Sequence, residues 1–140
     1  MSVARLAVFE RSIEKTNVML GEIMEGLGTG STDEAYMALR ATLHALRDRL
    51  VVTEAVQLGA QLPLVLRGVY YDGWQPEKTP HPIRRAEEFL AEVAAQFQWH
   101  PRDAESMVRT TLAVIARHVS GGEMLQVKRS LPKDIQTLLP

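Results

Sequence analysis

The chain contains no cysteine. That excludes disulfides, thiolate nucleophiles and cysteine-ligated zinc together, and it fits a reducing, cytoplasmic compartment. It also lacks any apolar run of about 18 residues, the length at which a bilayer span becomes plausible, so membrane association is not expected. Arg5, Glu10, Arg11, Glu14 and Lys15 interrupt the N-terminal stretch, which therefore does not read as a secretory leader. The formal net charge is −1, so no overall field gathers nucleic acid or acidic membrane, and a nucleic-acid partner is disfavoured. Aromatic residues make up only 6% of the chain, so any local concentration of them stands out. What remains is ordinary for one folded domain: 140 residues, 46% hydrophobic, enough to bury a core without metal or disulfide help.

The most informative positive feature is a repeat. Residues 39–66 and 108–135 align without a gap at an offset of 69. Arg40/Arg109, Thr42/Thr111, Leu43/Leu112, Glu54/Glu123, Gln57/Gln126, Leu62/Leu131 and Pro63/Pro132 are identical. A period of this size implies a duplicated supersecondary unit whose halves bury each other's apolar faces.

Apolar spacing is helical throughout. Ile13, Thr16, Leu20, Ile23 and Leu27 share one face, as do Tyr36, Leu39, Leu43, Leu46 and Leu50. Ile83, Ala86, Leu90, Val93 and Phe97, then Val108, Leu112, Ile115 and Val119, repeat the frame. Gly26 to Gly30 is a helix-ending turn, Ser31 or Thr32 an N-cap, and Pro101 a first-turn proline. Thr53 is expected to cap a short helix from Glu54, Gly121-Gly122 to supply the matching turn, and Pro63 and Pro132 to open helices at N1.

The predicted architecture is all-α: a single domain, 1–140, built from two tandem four-helix pseudo-repeats. These run over about 13–71 and 83–140, joined by an extended proline-rich connector at 72–82. The helices over 33–50 and 102–119 should lie at the centre, with Leu43, Leu46, Leu112 and Ile115 buried. Residues 1–12 form a helical extension outside the repeat. Val3, Leu6 and Phe9 on one side of it are expected to dock on another subunit or to cap an open end of the bundle.

The phrase LRATLHALRDRL…EAVQLGAQLPLVLRGVYYDGW, with the closing GGE…LP…LLP, resembles a bacterial family known as domain of unknown function, family 2267. The resemblance covers roughly residues 13–140. The chain departs from it at Met19 and Leu139, where members often carry Trp. It implies an all-helical domain and brings no catalytic residues with it.

Motifs for chemistry are few. The glycine run at 26–30 follows a helix rather than a strand and no P-loop lysine follows, so it reads as a turn. His44, His81, His100 and His118 form no HExxH or ExxH pattern, and His44 with Asp48 makes two ligands at most. No GxSxG elbow is present, and no catalytic residue, cofactor or metal site is assigned. Arg40/Glu54 and Arg109/Glu123 suggest two equivalent ion pairs.

The unusual segment is Arg67-Gly-Val-Tyr-Tyr-Asp-Gly-Trp74, whose counterpart in the other half, Gln136 to Pro140, shares none of its chemistry. Arg67, Tyr70, Tyr71, Asp72 and Trp74 are therefore a candidate recognition patch. The competing reading is that Tyr70 and Trp74 clamp the connector onto the bundle. The expected function is a non-catalytic protein-interaction or regulatory module, with an unknown protein or a second copy as partner through residues 1–12. The alternative is a small-molecule-binding protein or enzyme with a pocket between the halves near Arg67, Tyr71 and Asp72.

Overall fold

Periodic apolar stripes between polar turns build this molecule from helices alone. The computed structural model describes residues 5–97 and 101–140, and among them are eight α-helices and no strand. They are α1 (Ala7–Leu27), α2 (Thr32–Asp48), α3 (Val52–Ala60), α4 (Leu64–Tyr71), α5 (Ala86–Ala94), α6 (Pro101–His118), α7 (Gly121–Ser130) and α8 (Lys133–Gln136). Four precede the connector and four follow it.

The punctuation is mostly where the residues place it. Gly28, at φ 67°, ends α1 in the left-handed conformation, and the Thr29 N–H closes the turn on the Met24 carbonyl at 3.0 Å. Ser31 accepts from the Glu34 N–H at 3.1 Å and so caps α2. Four expectations shift. α3 starts at Val52 after Val51, leaving Thr53 inside its first turn. Ser120, not the glycine pair, caps α7 by accepting from the Glu123 N–H. Pro63 and Pro132 keep extended ψ values of 146° and 143°, so each is the N-cap rather than the first helical residue. The connector is not uniformly extended either: Pro76–Lys78 forms a 3-10 turn, and α5 begins only at Ala86, leaving Ile83 ahead of it.

Helices α2 and α6 form the centre. α2 packs against α1, α4, α5 and α6, and α6 against α1, α2 and α5. Leu43, Leu46, Leu112 and Ile115 are fully buried. The matched Thr42 and Thr111 are buried as well, each hydroxyl 3.8 Å from the Met107 sulfur, so the two helices share one polar contact within an apolar crossing. α1 approaches α6 closely at Gly26, where a Cβ would stand 2.5 Å from the Thr110 methyl. α3 packs on α7 and α4.

Two predicted stripe members, Ile13 and Tyr36, face outward. The N-terminal extension is also solvent-facing: Arg5 to Arg11 are exposed, and burial begins at Ser12. Leu6 and Phe9 therefore close no end of the bundle among the described residues, and Val3 lies outside them. Among the described residues no helix is long and apolar enough to cross a membrane.

Candidate functional site

The aromatic segment is built into the bundle from the end of α4. Tyr70 is fully buried and its hydroxyl donates to the Ala55 carbonyl at 2.7 Å. Burial holds that phenol protonated far above its ordinary range. The Tyr71 ring meets Tyr70 edge-on at 4.9 Å and Trp74 at 5.4 Å, a continuous aromatic ladder. Gly59 makes the ladder possible, because a Cβ there would lie 2.7 Å from Tyr71 Cζ and 3.1 Å from the Tyr70 ring. Asp72 is exposed and sits 3.4 Å from Arg40. Arg67 turns away from the aromatics. Its Nε donates to the Gly59 carbonyl and its Nη2 to those of Ala60 and Leu62, which covers the C-terminal carbonyls of α3. The structure thus brings Tyr70, Tyr71 and Trp74 together, leaves Asp72 at the edge, and sends Arg67 to another face.

Behind the ladder lies a polar cluster that is not evident from sequence spacing. Asp48, His81 and Glu92 place ligating atoms within 4.8 Å of one another, from α2, the connector and α5. Two buried arginines already occupy this chemistry. Arg47 donates to Asp48 at 2.9 Å and, through Nη1, to the carbonyls of Tyr70 at 2.7 Å and Asp72 at 3.1 Å. Arg49 pairs with Glu92, lies 3.5 Å from His81 Nδ1 and stacks over Phe89. A divalent ion would stand beside two fixed guanidinium charges, so the donor set suits an arginine clamp on the connector better than a metal. His44, instead of joining Asp48, donates from Nε2 to the Val69 carbonyl at 2.6 Å, and burial keeps its pKa below the ordinary value.

The repeat-matched charges pair differently from the expectation. Arg40 reaches Asp72, and Arg109 reaches Glu105 at 3.0 Å and the Thr137 carbonyl at 2.7 Å. Glu54 and Glu123 face each other instead, because α3 and α7 pack together. They are 7% and 8% exposed, and one oxygen of each carboxyl is buried with no partner among the described residues. Each lies in the first turn of its helix, where the dipole favours negative charge, yet burial dominates. Burial first, then the Glu54 charge and a carboxyl–carboxyl hydrogen bond, push Glu123 up to about 7 from 4.5.

The folded chain therefore holds the Glu123 proton more tightly than the unfolded chain does. The stability tied to that proton is full below 4.5 and is lost as pH rises through about 7. Glu123→Gln, which mimics the neutral acid, should raise Tm at pH 8 by about 3–6 °C and leave it unchanged at pH 4.5. Thermal unfolding at the two pH values checks this, and parallel shifts would contradict a raised Glu123 pKa.

α1 carries open surface on both flanks of its core-facing stripe of Ser12, Thr16, Met19 and Ile23. On one flank Leu6, Phe9 and Ile13 are 54%, 51% and 48% exposed, spaced 3 and 4 apart and so in line. On the other, α1 and the turn between α3 and α4 enclose a cleft of about 550 Å³. Arg67 lines it, whereas Tyr71 and Asp72 do not.

A family of sequences described as uncharacterized conserved protein (DUF2267) matches residues 16–138. The chain belongs to this family. Comparison with curated proteins finds no match. The family 2267 match spans the bundle from α1 to the end of α8, and Leu6, Phe9 and Ile13 precede it. The family description names no activity, so function has to be argued from geometry.

Proposed function

We propose that this member of family 2267 is a non-catalytic interaction module that associates with a second copy of itself through the N-terminal part of α1. The observation that carries this reading is the line of half-exposed Leu6, Phe9 and Ile13 on a helix whose packing begins only at Ser12. Such a line loses free energy in water and recovers it against a matching face.

The line is complementary to a copy of itself. An antiparallel pairing sets Leu6 near the copy's Ile13 and brings the two Phe9 rings together. A twofold interface needs this self-complementarity. The arginine clamp and the aromatic ladder, in this reading, keep the bundle rigid behind the helix.

Sedimentation velocity across a concentration series tests the proposal. The wild-type chain is expected to shift from monomer to dimer, and Phe9→Glu/Ile13→Glu to remain monomeric with an unchanged far-UV melt. A wild type that stays monomeric at about 100 µM, where even a weak Kd near 10 µM would populate the dimer, would refute it.

A further inference from the structure

We infer that the cleft between α1 and the α3–α4 turn is a binding site for a small soluble anion carrying an apolar tail. The cleft has three cationic side chains, Arg11, Lys15 and Arg67, and no carboxylate among its described lining residues. Arg11 and Lys15 make no ion pair among the described residues, so their charges face the cleft uncompensated. Arg67 spends Nε and Nη2 on the carbonyls of Gly59, Ala60 and Leu62, and its Nη1 bonds to none of the described residues.

That arrangement also selects which helix end the cleft presents. The negative C-terminal end of α3 is covered by the Arg67 guanidinium, while the positive N-terminal end of α4 opens at Leu64 beside it. The Val65 N–H donates to the buried Ser12 hydroxyl at 2.6 Å, which seats α1 against the first turn of α4 at the floor of the cleft. His118, at the rim, is held by Glu22 at 3.0 Å and adds little free charge.

Apart from Gln61, whose Oε1 accepts from the Ser120 N–H, the rest of the wall is apolar. Val8 and Val18 on α1 face Leu62 and Leu64 on the turn, which gives a tail of several carbons a surface to cover. The volume lies in the range typical of small-molecule sites. The cationic groups converge on a concavity rather than spreading over a convex face, which favours a free amphiphile over a lipid still in its bilayer. Because the cleft and the Leu6–Phe9–Ile13 line lie on opposite flanks of α1, this site stands or falls independently of self-association.

Titrations of the intact chain with octanoate and octyl phosphate, below micelle formation, followed by amide NMR, test the site. The Ser12, Leu64 and Val65 amides are expected to shift and saturate, with acetate binding at least about tenfold more weakly and octylammonium not at all. Arg11→Glu/Lys15→Glu should weaken octanoate by more than about tenfold at an unchanged melting temperature, whereas Lys128→Glu and the monomeric Phe9→Glu/Ile13→Glu chain should bind normally. Equal binding of octylammonium, full binding by the Arg11/Lys15 variant, or acetate matching octanoate would each overturn the proposal. Cosedimentation with phosphatidylglycerol vesicles, abolished by the same variant, would overturn the assignment to a soluble ligand.

Discussion

Tyr70→Ala is expected to lower the unfolding free energy by about 3–5 kcal/mol, the range for deleting a buried aromatic. The ring is fully enclosed, so its loss leaves a cavity between α3 and α4 instead of a surface that water can reclaim. Tyr71 cannot swing in to fill the space, because the Trp74 ring rests on it from the other side. Tyr70→Phe keeps the packing and removes only the bond to Ala55, so it should cost about 1 kcal/mol. Urea unfolding of both variants separates the packing contribution from the hydrogen bond. Trp74→Ala should fall below Tyr70→Ala, since the indole is only half-buried and its N–H has no partner among the described residues.

Arg47→Met is the second large effect, at about 3–5 kcal/mol. The guanidinium is almost wholly buried and holds three acceptors at once: the Asp48 carboxylate and the carbonyls of Tyr70 and Asp72. A thioether fills the volume but leaves those acceptors without a donor. Arg47→Lys should fall between the two, because one ammonium cannot span three acceptors held by the Nε and Nη1 fork. Urea midpoints give the size of the effect. Hydrogen exchange at the Trp74 amide, bonded to the Tyr71 carbonyl at 3.0 Å, reports whether the connector loosens first. Exchange at Trp74 no faster than in wild type would mean that Arg47 does not hold the connector.

Periodicity served well where one face meets one core and less well where a helix has two uses. Leu43, Leu46, Leu112 and Ile115 lie buried where their spacing puts them. Ile13 has the same spacing and faces solvent, because a helical stripe marks an apolar face without saying what covers it. Phe89 is fully buried yet stands beside the stripe read from Leu90 and Val93, since α5 is clasped by α2, α6 and α8 together. The repeat-matched arginines and glutamates pair differently from the expectation for a related reason. A sequence offset identifies equivalent positions, but equivalence is not proximity, and the packing of α3 on α7 set Glu54 against Glu123. The cationic cleft is half legible: Arg67 belongs to the unusual segment, whereas Arg11 and Lys15 show in the sequence only as charges that break an N-terminal apolar run, and packing sets them beside the α3–α4 turn.

Helix positions, a turn within residues 26–30 and a cap at Ser31 or Thr32 follow from local chemistry that the sequence by itself carries, because each depends on residues within a turn or two of one another. The caps of two other helices do not. Ser12 accepts from the α4 amide of Val65, 53 residues away, and Asp134 accepts from the α5 amide of Ala86, 48 residues away. The same holds for the Arg47 and Arg49 clamp, the Glu54–Glu123 proton and the cleft beside α1. Each depends on a short-range polar interaction between groups distant in sequence, and distance-dependent forces of that kind exist only once apolar burial has brought the helices together.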